Sequence, residues 1–234
     1  MKKIALLTAA LVMTSTMAFA AADTIVGSAH DLKGTYGGIN QGSTELCVYC
    51  HTPHNAVKDI PLWNRKNPTA TDFQLYKSSI TLTDEAKLAA FGTDSVSLFC
   101  MSCHDGVTKL GAFINDPALA NGTTHTASGS ALAATNYANL GTNLKNDHPV
   151  GFSYAVAVGQ DSLSGTGGLR TITEVKTRFG ISNSGAYAPF FAGNGKTDTM
   201  ECASCHKVHM PGTSGNFLRI ENTGSNLCLA CHAK

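Results

Sequence analysis

The sequence has little charge, few aromatic rings and few long helical patterns. Charged residues make up 14% of the 234 residues and aromatics 7%, with a single tryptophan, Trp63. No basic stripe is present, so a nucleic-acid partner is excluded. Beyond the first twenty residues no apolar run reaches the ~20 residues needed to span a membrane, so no membrane span is expected. Gly, Ser, Thr, Asn and Ala dominate. That is thin material for an apolar core of this length, and something other than side chains is expected to fill the interior.

The opening MKKIALLTAALVMTSTMAFAAAD carries Lys2 and Lys3, then an apolar run from Ile4 to Val12, then the small-residue site Ala18-Phe19-Ala20. This order is that of a secretory signal peptide, residues 1–20, with an uncleaved anchor as the alternative. Thr14, Ser15 and Thr16 break the run, and no cysteine follows the cleavage site to take a lipid. Cleavage would remove two of 17 basic residues and no acid, leaving 15 against 16 and a charge of −1.

An exported chain with eight cysteines would by default hold disulfides. The spacing argues otherwise. The cysteines fall as Cys47-Val-Tyr-Cys50-His51, Cys100-Met-Ser-Cys103-His104, Cys202-Ala-Ser-Cys205-His206 and Cys228-Leu-Ala-Cys231-His232. Every cysteine is used and a histidine follows every second one. With 9 histidines in the chain, four such placements by chance have odds of about two in a million. C-x-x-C-H is the c-type haem attachment motif: two thiols on a helical turn match two porphyrin vinyl groups, and the next residue aims its imidazole at the iron. A Cys₄ zinc site would leave the four following histidines unexplained, and the Cys205–Cys228 interval exceeds the ~15–20 residues of a zinc ribbon. A redox-active C-x-x-C has no need of four copies. Four covalently bound haem c groups are therefore expected. Attachment after export agrees with the leader.

With His51, His104, His206 and His232 as proximal ligands, five histidines remain. Their order reveals a diverged repeat. His30 precedes C-x-x-C-H-x-x-H (Cys47 to His54) and then the plain motif ending at His104; His148 precedes C-x-x-C-H-x-x-H (Cys202 to His209) and then the plain motif ending at His232. The repeat divides the chain into dihaem units, 21–146 and 147–234, within one continuous haem-packed domain. His30, His54, His148 and His209 are the expected distal ligands. His54 and His209 lie three residues past a proximal histidine and cannot clamp the same iron from opposite sides, so each must reach another haem. Pro149 extends the backbone at His148. His125 belongs to neither unit. Met200 and Met210 are alternative sixth ligands, whereas Met101 sits inside a motif and is poorly placed.

The expected fold is mostly irregular coil with short α-helices and few short strands, a multihaem cytochrome c arrangement in which the haems are the core. TDEAKLAAFG (Thr83–Gly92) reads as a helix with a threonine cap, Ser95–His104 as a second and Thr171–Phe179 as a third. PFFAGNGKTDTMEC reads as a hairpin turning at Asn194-Gly195. Residues 105–146 show no readable chemistry and are expected to be irregular surface chain.

LCVYCHTPHN after GSAHDL, then ECASCHKVHMP and NFLRIENTGSNLCLACHAK, resemble the doubled C-x-x-C-H multihaem cytochromes of metal-reducing bacteria, in particular the outer-surface tetrahaem type. The resemblance runs from about residue 24 to the end. It implies bis-histidine haems of low potential, electron transport to extracellular acceptors such as metal oxides, and contact with other multihaem cytochromes. It also implies homopolymeric filaments in which one iron takes its distal histidine from a neighbouring subunit; His54 and His30 are the candidates. The expected location is the outer cell surface or extracellular space, with the periplasm as the alternative. A monomeric periplasmic shuttle would use the same haems. A multihaem reductase would need an open iron, and the spare histidines suffice for all four, so no enzymatic activity is expected.

Overall fold

The computed structural model describes residues 25–32, 46–56, 61–78, 82–115, 130–161, 167–181, 189–211 and 216–233. Residues 1–20, where a signal peptide is expected, and His125 lie outside them. The described chain is mostly coil with short helices and strands. Helix α1 spans Asp84–Lys87, where the Thr83 hydroxyl accepts from the Ala86 amide at 3.3 Å. It stops well short of Gly92. The chain turns there to lay the Ala90 amide on the Gly151 carbonyl at 3.0 Å. Gly151 has φ 79°, and a Cβ on it would meet the Ala90 oxygen at 2.8 Å, so only glycine permits the approach.

Helix α2 is Ser97–His104 and carries the second motif. Helix α3, Tyr154–Gln160, starts at a Ser153 cap. Helix α4, Ile172–Arg178, opens on a capping box in which Thr171 and Glu174 each bond the other's backbone amide. Helices α5, Cys202–Cys205, and α6, Asn226–Cys231, hold the third and fourth motifs. The first motif occupies a 3₁₀ turn, Cys47–Tyr49.

Two small sheets tie these pieces together. Strands β1 (Gln74–Leu75) and β2 (Asn143–Leu144) run parallel. A three-stranded antiparallel sheet has the order β3 (Phe152–Ser153), β5 (Lys196–Met200), β4 (Phe191–Gly193). The β4–β5 hairpin turns on Asn194 and Gly195, both with positive φ (52° and 71°). Asn-Gly is the pair that suits a two-residue turn of this hand.

Side chains fill more of the interior than the composition suggested. Leu75, Leu98, Met101, Leu144, Tyr154, Val175, Phe190 and Met200 belong to one buried cluster, with Cys205 and Cys231 packed against it. Each fully buried side chain of this size contributes about 1.5–3 kcal/mol. The cluster draws on both sides of residue 146. A smaller cluster holds Tyr49 and Leu110, flanked by Cys50, Cys103 and Phe113. Residues 105–146 are correspondingly more than surface chain: Leu110 and Leu144 are buried and β2 pairs with β1.

One buried polar node joins the ends of two motif-bearing helices. Glu201 is 1% exposed. Its carboxylate accepts from the Ser95 hydroxyl at 2.6 and 2.7 Å, from the Ser97 hydroxyl, and from the Ser97 amide at 3.3 Å. The Ser97 hydroxyl in turn accepts from the Cys202 amide at 3.0 Å. Burial pushes the Glu201 carboxyl up, against the opposing pull of these donors. A raised folded value means that the folded state prefers the neutral acid, so this stabilisation is full on the acid side and fades as pH rises through the raised value. Chemical denaturation of wild type and Glu201→Gln between pH 4 and 7 should therefore show wild type losing ground to the variant as pH increases. Glu201→Ala, which strands buried serine hydroxyls, should cost about 2–4 kcal/mol. A wild-type advantage that grows with pH would mean that the serine bonds outweigh burial.

Candidate haem-binding sites

Each motif presents its two cysteines on a helical turn, and in the third and fourth the chain leaves the helix at the histidine. His206 (φ −108°, ψ 144°) and His232 (φ −99°, ψ 129°) are extended. Extended backbone there allows a second segment to pair with the histidine, and three motifs use the same pairing. His51 forms an antiparallel bridge with Trp63, His206 with Leu218 and His232 with Leu169. In each, the second cysteine's carbonyl accepts from the partner segment: from Asn64 at 2.9 Å, Arg219 at 2.9 Å and Arg170 at 2.7 Å. The residue after the histidine donates back, from Thr52 to Leu62, Lys207 to Phe217 and Ala233 to Gly168. The fourth case varies: His104 ends α2, and its carbonyl accepts from the Leu140 amide at 2.9 Å.

These clasps also set the imidazoles. The Nδ1 of His51 lies 2.5 Å from the Pro61 carbonyl oxygen, that of His104 2.7 Å from Ala138, and that of His206 3.0 Å from Asn216. His148 Nδ1 lies 2.9 Å from its neighbour's carbonyl at Pro149. A carbonyl can only accept, so Nδ1 carries the proton and Nε2 keeps the lone pair that a metal requires. Burial, with smaller repulsion from neighbouring imidazoles, moves His30 down to about 4. Burial also lowers His104 and His209. These rings stay neutral at pH 7, as ligands must.

The rings meet in pairs. His30 and His104 have centroids 6.0 Å apart, His51 and His209 6.0 Å, and His148 and His232 6.3 Å. Two imidazoles sharing a metal stand about 2 Å from it at nitrogen, each with its centroid about 1 Å further back, which sums to about 6 Å. The spacing is too wide for ring stacking and fits an iron between the rings. A buried indole adjoins the His51 ring: among the described residues Trp63 Nε1 has no hydrogen-bond partner, and the Trp63 ring stands edge-on to His51 at 6.0 Å.

Among the described residues, His206 and His54 have no imidazole opposite them at this spacing; His54 is exposed. Met101 and Met200 are buried in the main cluster, which is a packing role.

The motifs adjoin one another in chain order. Cys50 and Cys103 flank the same small cluster. Cys100 and Cys202 lie close enough to shift each other's ionisation, Cys100 upward and Cys202 downward. Cys205 and Cys231 both pack against the main cluster, and Cys231 lies near enough to influence Cys205. None of the eight cysteines is in a disulfide. Burial raises Cys50 and Cys205 to about 12 and Cys231 to about 11, values unsuited to a reactive thiolate. Among the described residues no group of three or more His, Cys, Asp or Glu converges on a point that would hold a bare ion.

The clasps escaped the sequence reading. Their partner segments, 61–64, 138–140, 216–219 and 168–170, share no residue pattern, because the bonds run through backbone. One signal is conformational. Leu62 (φ 61°) and Phe217 (φ 57°), at the same place in two clasps, adopt left-handed backbone that costs a non-glycine residue about 1–2 kcal/mol. Phe217 is offset by stacking on His30, centroids 4.4 Å apart. Leu62 is 43% exposed and has less to hold it. Leu62→Gly should therefore leave the melting temperature equal or raise it, whereas Phe217→Gly should lower it, as followed by thermal denaturation.

Residues 195–234 match the family model of the doubled CXXCH motif. No curated protein matches the chain. The matched stretch contains the third and fourth motifs, and the first shares their clasp. Motif and geometry together support a multihaem c-type cytochrome that binds haem c covalently and works in electron transfer.

Proposed function

We propose that the chain carries four haem c groups, one per motif, and conducts electrons along them. The cysteines Cys47, Cys50, Cys100, Cys103, Cys202, Cys205, Cys228 and Cys231 attach the porphyrins. His51, His104, His206 and His232 are the proximal ligands. His209, His30 and His148 are the distal ligands of the first, second and fourth irons. The observation that carries this reading is the set of three imidazole pairs at 6.0–6.3 Å, each joining the histidine of a C-x-x-C-H run to one that does not directly follow a cysteine. Bound haem supplies one-electron exchange without proton transfer. The protein's part is to hold the irons close together in chain order and to keep them saturated.

The third site supports a polymeric form. Among the described residues of one chain neither His206 nor the exposed His54 faces a second imidazole at this spacing. A second copy offering His54 would complete the iron at His206 and join the haem lines of successive subunits into a filament. Such an assembly suits delivery to extracellular acceptors such as metal oxides, through contacts with other multihaem cytochromes. Among the described residues no helix is long and apolar enough to cross a membrane. A third iron left without a second imidazole would also suit another reading, a reductase that binds a small substrate in the open position.

Electron microscopy of native material, with electron paramagnetic resonance of the oxidised protein, separates these readings. A conducting filament should appear as fibres containing only low-spin ferric haem. His54→Ala should yield dispersed subunits with one high-spin haem in four. If His125→Ala gives that signal instead, the chain completes its own third site and acts as a monomeric shuttle. One high-spin haem in the unaltered protein, with ready carbon monoxide binding after reduction, supports the reductase.

A further inference from the structure

Arg65 is 0% exposed, the largest fully buried side chain among the described residues. It extends the segment that clasps His51 and reaches the end of α2, which carries the second motif. Its Nε donates to the Ser102 hydroxyl at 3.3 Å. Its Nη2 donates to the carbonyls of Ser102 and Lys109, both at 2.9 Å, and its Nη1 to Leu110 at 2.5 Å. The guanidinium also lies over the Phe113 ring, 5.3 Å from its centroid. Every partner is neutral. Among the described residues the one ion pair is the exposed Lys87–Asp84 contact. Asp105, the buried carboxylate on the same stretch, is occupied by the amides of Val107 and Thr108 and the Thr108 hydroxyl.

A permanently charged guanidinium without a counter-ion is costly to bury, and a helix-end cap alone does not require one. Its location suggests what the charge serves. Phe113 and Leu110, which touch it, belong to the small cluster flanked by Cys50 and Cys103, one cysteine from each of the first two motifs.

We infer that Arg65 is a fixed buried cation placed between the first two haem sites to raise their reduction potentials above those of the other two. Reduction adds one electron to a ferric haem and lowers its net charge by one, with no proton taken up by Arg65. A positive charge held in a medium of low dielectric stabilises that product more than the starting state. Arg65 would thereby make the first two sites the resting place of electrons entering the line.

The inference rests on haem attachment at Cys50 and Cys103. Spectroelectrochemical titration of the purified holoprotein tests it. Arg65→Gln should lower the two highest macroscopic potentials by at least a tenfold change in the reduction equilibrium, about 59 mV for one electron. Arg65→Lys, which keeps the charge, should restore most of that shift, and low-spin resonance spectra should be unchanged in both. Should Arg65→Gln not mature, Ser102→Asp sets a carboxylate beside the intact cation and should lower the same two potentials. Potentials equal to wild type in the variant that matures, or an equal fall in Arg65→Gln and Arg65→Lys, overturn the inference. A colourless wild-type protein would instead overturn the haem reading itself.

Discussion

The structure depends on holding a motif imidazole by its backbone and by one ring nitrogen at once. A haem iron binds the lone pair of Nε2, so the proton must stay on Nδ1 and the ring must not turn. At His51, His104 and His206 a main-chain carbonyl meets Nδ1, and a segment distant in sequence bonds the backbone at or around the histidine. Main-chain groups are strong and obligatory partners and do not titrate. They can therefore fix a ligand whose own charge state must not vary.

This arrangement explains why so little regular structure is present. A short helical turn is enough to space two thiols, and a few bridge residues are enough to clasp the histidine. Longer elements would separate the motifs. Short ones bring Cys50 near Cys103, Cys100 against Cys202 and Cys205 near Cys231, so the four sites follow one another in chain order. The side-chain cluster around Met101, Tyr154 and Val175 and the Glu201 node supply the rigid frame on which these turns sit.

Buried charge is the second theme. Glu201 meets α2 at its first turn and Arg65 meets it at its last, each with the sign that complements the helix dipole. Both come from segments far away in sequence. The helix bearing the second motif is therefore the point at which distant parts of the chain agree electrostatically.

The spacing of cysteine and histidine determined the chemistry by itself, because thioether attachment and axial ligation demand fixed residue types at fixed intervals. Local signals were also legible: the Thr83 cap, the helix that follows Thr171 and the Asn194-Gly195 turn stand where their residues suggested. The end of α1 was not, since Gly151 receives Ala90 from across the fold. Nor was the value of residues 138–140, whose part is played by an alanine carbonyl. Which histidine faces which was likewise undetermined: nothing local in the sequence distinguishes His30 opposite His104 from any other match. A pair of facing rings is a relation between two distant points in space, and only the folded chain, through backbone bonds that every residue type can make, decides which points meet.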